Sequence, residues 1–207
     1  MNLILVRHGE TEWNKLGKFQ GQADIPLNER GLSQAKDTAK AAISWRPTAL
    51  YSSPLDRTMQ VAEEIAKVTG LSVATDPRLK ELDLGEMEGV SGEQMRTQWP
   101  QVHETWRRHP ELVTMPGGES LVQLHERTWQ AFEAVEKAHG EEDTIVVISH
   151  NFAIRAICGT LLGMPLSNFH RMFLNLSSVT RMDRGQMGWR LLSYNSTSHL
   201  SPENQPT

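Results

Sequence analysis

The sequence predicts an α/β fold with a doubly wound, mostly parallel sheet flanked by helices. Short apolar runs rich in β-branched residues alternate with longer stretches of helical periodicity, which is typical of repeated βαβ units. Two of these runs, 3–6 and 144–148, are each followed within two residues by a histidine. Ligands bind outside the carboxyl ends of strands in open α/β sheets, so the same pattern predicts where a functional site lies.

Apolar patterning and capping residues place the individual elements. The predicted strands are 3–6, 49–51, 144–148, 177–182 and 188–194. The predicted helices are 31–45, 54–69, 120–139 and 152–162. In the second helix, Ser53 is a suitable N-cap and Pro54 a suitable first residue. This start places Arg57 in the first turn, where a helix already favours anions.

The regular alternation breaks between 78 and 123, where prolines and tryptophans accumulate. We expect this stretch to form an inserted cap over the carboxyl edge of the sheet, with Trp99 and Trp106 packing its interior. Residues 1–200 are then one domain that carries the cap. The composition of 201–207 predicts a disordered tail.

Composition excludes several classes of protein. A chain of 207 residues with 38% hydrophobic residues can bury the core of one domain, and a net charge of −4 argues against a nucleic-acid partner. No stretch reaches the roughly 20 apolar residues that span a bilayer, so we expect no membrane association and a cytoplasmic location. Cys158, the single cysteine, excludes an intrachain disulfide and is expected to fill the core. The sequence is compatible with a homodimer.

The first strand delivers Arg7 and His8 into a loop that Gly9 loosens. Arginine offers a planar fork of donors for phosphate or carboxylate, and histidine serves as nucleophile, acid, base or metal ligand. Together with His150 after the second strand, they indicate an anionic ligand and chemistry upon it. A hydrolase that binds a metal through both histidines and a carboxylate is the alternative, which the neighbouring Arg7 cation disfavours.

A set of motifs along nearly the whole chain resembles the histidine phosphatases, a family that includes the cofactor-dependent phosphoglycerate mutases. The motifs are RHGET at 7–11, WN at 13–14, FQG at 19–21, LNERG at 27–31, SSPLDRT at 52–58, LKE at 79–81, Gly85, EG at 88–89, GGES at 117–120 and SH at 149–150. As an ordered set they are highly specific. One position departs from the family, which usually has glycine where this chain has Asn151.

The resemblance implies a role for each residue of the site. His8 is the nucleophile that forms a phosphohistidine, and Glu81 donates a proton to the leaving oxygen and then activates water. Arg7, Arg57 and a protonated His150 surround the phosphoryl oxygens.

Four further residues are expected to bind substrate, namely Asn14, Gln20, Gly21 and Asn151. The scheme requires no metal and no other cofactor, because the cations neutralise the phosphate.

The expected activity is hydrolysis of a small phosphorylated metabolite, either phosphoserine-like or a sugar or nucleoside phosphate. The stretch 82–89 resembles the phosphatase branch of the family more than the mutase branch. The pattern from Trp106 to Ser120 resembles phosphoserine phosphatases, and ribazole-phosphate phosphatases and broad-specificity enzymes are also similar. Two alternatives stay open: a phosphoglycerate mutase, and an inactive relative that binds a phosphorylated ligand. A mutase is disfavoured because the cap and tail look short, and an inactive relative because every expected chemical group is present.

Overall fold

The computed structural model describes residues 1–206, and in this range it contains a six-stranded sheet with helices on both faces. The strands are β1 (Asn2–Arg7), β2 (Ala49–Ser52), β3 (Val73–Thr75), β4 (Thr144–Ser149), β5 (Val179–Gly185) and β6 (Gly188–Ser196). Their order is β3-β2-β4-β1-β5-β6, in which β1 to β4 are parallel and β5 and β6 pair antiparallel with their neighbours. The predicted fold class is confirmed.

Each predicted helix lies within two residues of its expected bounds. The helices are α1 (Glu12–Lys15), α2 (Glu29–Trp45), α3 (Asp56–Thr69), α4 (Gly92–Gln98), α5 (Pro100–Arg108), α6 (Leu121–Ala138) and α7 (Asn151–Leu161). Short 3-10 turns cover Pro77–Leu79, Gly85–Met87, Pro110–Leu112, Leu166–Arg171 and Pro202–Asn204. Strand β3 was not predicted, because its three residues carry no buried alternation. Within residues 1–206, no helix combines the length and the apolar character needed to cross a membrane.

The core lies in two layers, because successive side chains of a strand point to opposite faces of the sheet. Leu3 and Leu5 of β1 pack with α6 and α7 on one face, whereas Ile4 and Val6 pack with α2 and α3 on the other. Cys158 is fully buried in the first layer, as expected, and burial raises the pKa of its thiol to about 12. Packing on both faces thereby fixes the central strands and the positions of their carboxyl ends.

The start of α3 differs from the prediction. The helix begins at Asp56, two residues late, and Leu55 occupies the N-cap position without a side-chain bond. Ser53 is therefore not the cap. Its hydroxyl instead lies 2.8 Å from Nε2 of His150, a contact between residues 97 positions apart that local sequence does not encode.

Residues 78–123 contain the short helices α4 and α5, the 3-10 turns Gly85–Met87 and Pro110–Leu112, and the end of the turn Pro77–Leu79. Their apolar side chains form a third hydrophobic cluster, against which Trp99 and Trp106 pack. Phe19 and Phe152, which follow the carboxyl ends of β1 and β4, pack against the same cluster. This segment therefore meets the sheet at the edge where the two histidines emerge.

The prediction that 201–207 is disordered is wrong for the described residues 201–206, and Thr207 lies outside them. Residues Pro202–Asn204 form a 3-10 turn, and Asn204 is buried. The Asn204 amide donates to Asp37 of α2 at 2.7 Å, and Gln34 donates back to the carbonyl of Asn204 at 3.0 Å. Polar composition alone missed these partners, because they lie more than 160 positions away in sequence.

Candidate active site

The parallel pairing of β1 and β4 brings the two histidines together. Arg7 is paired with Ser149 at the end of the shared ladder, so the next residue of each strand emerges at the same edge. The rings of His8 and His150 lie 5.2 Å apart, centroid to centroid, and both side chains are buried. The predicted meeting of the two strand ends is thus observed.

The tautomer of His8 follows from a single hydrogen bond. Its Nδ1 lies 2.8 Å from the carbonyl oxygen of Gly9, and because a carbonyl only accepts, Nδ1 carries the proton. Nε2 therefore keeps its lone pair. Burial, together with the nearby cations of Arg57 and Arg7, holds the pKa of His8 well below its usual value of 6.5. The imidazole is neutral and able to act as a nucleophile.

The close approach of the His8 loop to helix α2 requires glycine. A Cβ on Gly9 would lie 2.9 Å from the carbonyl oxygen of Gly31 and 3.0 Å from its Cα. The loop is further held by Gln34, whose side-chain oxygen accepts the backbone N–H of Glu10 at 2.9 Å. Gly9 was expected to loosen the loop, and in the structure it also packs closely against the helix.

His150 is held by a hydrogen bond to Ser53. The hydroxyl of Ser53 accepts the backbone N–H of Leu55 at 3.4 Å and lies 2.8 Å from Nε2 of His150. Nδ1 of His150 is buried without a partner among the described residues. Burial, followed by the charges of Arg57, His8 and Arg7, holds the pKa of His150 well below its usual value. This shift favours a neutral ring, and a protonated His150 beside a bound phosphoryl group stays a prediction.

Two arginines, the fully buried Arg57 and the partly buried Arg7, lie beside the histidines. Arg57 is fully buried and donates to the carbonyl oxygens of Gly21 at 2.7 Å and Ala23 at 2.8 Å. Arg7 donates to the carbonyl oxygen of Leu174 at 2.6 Å, and burial lowers its pKa to about 10. The Nε atoms of both arginines are buried without partners in the described part of the chain. Their positive charge is concentrated where an anion is expected.

Glu81 enters the site from the segment that follows the Pro77–Leu79 turn. Its carboxylate accepts the backbone N–H of Leu82 at 2.9 Å and that of Phe152, in the first turn of α7, at 3.1 Å. Arg127 holds the main chain behind it by donating to the carbonyl oxygen of Glu81 at 2.7 Å. Arg127 also forms an ion pair with Glu119. Sequence reasoning missed Arg127, since no local pattern links a residue of α6 to this loop.

Asn14, which is expected to bind substrate, can donate a hydrogen bond from its amide. Its Oδ1 accepts the backbone N–H of Thr11 at 3.1 Å within the capping box of α1, which leaves the amide Nδ2 free to donate. The Thr11 hydroxyl also lies 2.9 Å from Oε1 of Gln20. Asn151 is the first helical residue of α7 and has no positive φ, so replacing the usual glycine causes no backbone strain there.

These groups surround a cavity of about 120 Å³. Eight of the nine predicted site residues line it, namely Arg7, His8, Asn14, Gln20, Gly21, Arg57, Glu81 and Asn151. His150 is not among the lining residues, and its fully buried ring contacts that of His8. The lining also contains four residues that were not anticipated: Lys18, Phe19, Leu84 and Phe152.

His199 packs against α2, where its Nε2 lies 3.1 Å from the Thr38 hydroxyl. Within residues 1–206, no three His, Cys, Asp or Glu side chains are grouped to hold a metal ion.

The two buried neutral histidines make the fold sensitive to acid. In the unfolded chain each titrates near 6.5, whereas in the folded chain the pKa values are much lower. The unfolded state therefore binds more protons below pH 6.5, and the free energy of unfolding falls as pH drops through this value. Each histidine contributes up to about 1.4 kcal/mol per pH unit. Urea unfolding between pH 7 and 5 measures the slope of the free energy of unfolding against pH. In His150→Gln this slope should be smaller than in the wild type by the equivalent of about one proton. An unchanged slope would contradict a neutral, buried His150.

The chain matches the family described as Histidine phosphatase superfamily (branch 1) over residues 3–197. Phosphoserine phosphatase 1 of Hydrogenobacter thermophilus is 37% identical over 200 residues, which cover 97% of this chain and 94% of that protein. A probable phosphoglycerate mutase of Proteus mirabilis is 36% identical over 210 residues, covering 97% and 95%.

Solved structures show the same likeness. A phosphoserine phosphatase mutant of Entamoeba histolytica, in complex with phosphoserine, has a TM-score of 0.86 at 31% identity and covers 97% of this chain and 99% of its own. A mycobacterial glucosyl-3-phosphoglycerate phosphatase in complex with VO3 has a TM-score of 0.87 at 29% identity, covering 95% and 99%.

Proposed function

The chain belongs to branch 1 of the histidine phosphatase superfamily, and we propose that it hydrolyses a small phosphate monoester through a phosphohistidine on His8. The observation that carries this proposal is the bond from His8 Nδ1 to the Gly9 carbonyl, which leaves Nε2 unprotonated beside the cations of Arg57 and Arg7. A neutral nucleophile facing concentrated positive charge suits attack on a phosphate dianion.

In the first step, His8 Nε2 attacks phosphorus, so that a P–N bond forms as the P–O bond to the alcohol breaks. The forks of Arg7 and Arg57 donate to the phosphoryl oxygens, where negative charge is concentrated. Glu81, holding a proton, transfers it to the leaving oxygen. The alcohol therefore departs neutral.

His150 contributes as a neutral donor in this scheme. We propose that the Ser53 hydroxyl donates to Nε2 of His150 and that the Nδ1–H of His150 binds a phosphoryl oxygen. Ser53 is thus a positioning residue that selects the useful tautomer. The Nδ2 of Asn14 supplies a further uncharged donor.

In the second step, the Glu81 carboxylate takes a proton from water, whose oxygen attacks the phosphorus of phosphohistidine. The P–N bond breaks, its electron pair returns to Nε2, and inorganic phosphate leaves. The bonds from Leu82 and Phe152 orient the carboxylate for both proton transfers.

The mutase relatives support a second candidate function, in which the phosphohistidine returns its phosphoryl group to an acceptor alcohol rather than to water. We expect the chain to release inorganic phosphate from 3-phosphoglycerate, or from other monoesters in a panel, without forming 2-phosphoglycerate. Formation of 2-phosphoglycerate faster than release of phosphate would favour the mutase. Phosphate binding without either product would indicate an inactive relative.

Glu81→Gln is expected to slow the first step far more for an alkyl phosphate than for nitrophenyl phosphate. An alkoxide is a poor leaving group that needs the proton, whereas nitrophenolate departs without it. Losses of about 10²- to 10⁴-fold for the alkyl ester follow from the usual contribution of a general acid. The first step is measured as a burst, because Glu81 also acts in the second.

The exposed Glu86 provides the matched control, and Glu86→Gln should leave both bursts unchanged. Equal losses for both esters in Glu81→Gln would rule out the acid role.

A further inference from the structure

A second, apolar cavity adjoins the catalytic one. It has a volume of about 40 Å³ and is lined by Phe19, Leu84, Met87, Met95, Trp106, Met115 and Phe152. Three of these residues, Phe19, Leu84 and Phe152, also line the catalytic cavity, and this apolar wall is common to the two cavities. All seven side chains are uncharged, so the apolar cavity offers hydrophobic contact and no counter-ion.

The side chains that line the apolar cavity belong to the third hydrophobic cluster or pack against it. Met87 and Met115 are almost fully buried, and the rings of Trp106 and Phe152 lie 5.6 Å apart. Methionine side chains are flexible and polarisable, so three of them around one small space let it adapt to the shape of a guest. A cavity lined in this way stays dry and binds apolar groups.

Glu81 determines where a leaving group must lie. The ester oxygen has to be within hydrogen-bond reach of its carboxylate, and Leu84 of the apolar wall follows three residues later along the same segment. Phe152, whose backbone N–H binds Glu81, belongs to the same wall. The carbon atoms attached to the ester oxygen therefore extend towards the apolar cavity.

Resting on the proposed phosphatase activity, we propose that this cavity is the leaving-group subsite and that it takes an apolar portion of the alcohol. About 10 to 15 Å³ of such space holds one water-sized group, so about 40 Å³ accommodates about three methylene groups. The substrate class is thus a phosphate monoester whose alcohol carries an alkyl chain or a small ring next to the ester oxygen.

The charged residues of the catalytic cavity also favour an uncharged alcohol. Among the described residues that line the catalytic cavity, Lys18 is the one cation besides Arg7 and Arg57. Lys18 is exposed, with its ammonium 5.8 Å from the centre of the Trp13 ring. A carboxylate in contact with the methionines of the apolar cavity would lose its bound water and gain no hydrogen-bond partner. A charged alcohol such as serine is therefore expected to bind less well there than an alkyl group of similar size.

The test is a series of unbranched alkyl phosphates from ethyl to octyl. We expect kcat/KM to rise about fourfold for each of about three successive methylenes, the fold-change that corresponds to about 0.8 kcal/mol per buried methylene, and then to level off. Butyl phosphate should exceed phosphoserine. Alkyl phosphonates, which cannot be hydrolysed, should show the same dependence in their Kd measured by calorimetry. Rates and Kd values independent of chain length would overturn the subsite.

Variants locate the effect in the cavity. Met115→Ala enlarges the apolar cavity, so the chain length at which kcat/KM levels off should increase, and Met95→Ala is a second variant with the same expectation should the first fail to fold. Met182→Ala is the matched control, because Met182 is equally buried but lies in the core layer of α6 and α7. The same shift in Met182→Ala would overturn the assignment.

The outcomes separate the two proposals. If no ester yields phosphate and no phosphoenzyme forms, the proposed function fails, while the phosphonate Kd values still decide the subsite. If esters of all lengths are hydrolysed equally well, the phosphatase stands and the subsite alone is wrong.

Discussion

Replacing His8 with alanine is expected to abolish turnover and to remove the phosphoenzyme. His8 Nε2 is the atom that would form the P–N bond, and within the described pocket the other imidazole, His150, has its Nε2 bonded to Ser53. Loss of an enzyme nucleophile costs on the order of 10⁶-fold in kcat in a well-studied protease, and we expect a loss of similar scale. Rapid quench of the enzyme with labelled substrate measures the burst, and an alkaline quench preserves the acid-labile phosphoprotein so that it can be counted.

The control is His125→Ala, since His125 is partly buried and bonded to Thr160 at 2.8 Å, outside the residues that line the catalytic cavity. This variant should retain the burst. An unchanged acid-labile phosphoprotein in His8→Ala would show that another residue is the nucleophile.

Replacing Arg57 with alanine is expected to reduce kcat/KM by about 10²- to 10³-fold, the loss seen when one donor to a developing oxyanion is removed. Arg57 has a second role here, because it donates to the carbonyl oxygens of Gly21 and Ala23 and so shapes the loop opposite His8. Arg57→Lys keeps the charge but loses the fork, so its activity should lie between those of the wild type and Arg57→Ala. Urea unfolding of each variant separates lost folding from lost catalysis.

The same enzyme preparation addresses the metal alternative. If the arginines neutralise the phosphate, activity should survive exhaustive chelation. A reversible loss in chelator that a divalent ion restores would instead assign phosphate binding to a metal.

Much of the fold could be predicted because its signals are local. Runs such as 144–148 are apolar and β-branched, and a change from strand to helical periodicity marks each crossover. The predictions failed where structure depends on distant partners. Strand β3 is short and exposed, and the tail is ordered by Asp37 and Gln34 of α2. A single sequence does not reveal either pairing.

The sequence by itself determined which chemical groups this protein has and that two strand ends deliver them to one edge of a sheet. Only the tertiary structure decided the hydrogen-bond partners and the protonation of the two histidines. Nδ1 of His8 binds the Gly9 carbonyl, Nε2 of His150 binds Ser53, and burial beside Arg57 lowers the pKa of both rings. The physical reason is that proton positions depend on hydrogen-bond partners and solvation, which packing brings together from distant parts of the chain.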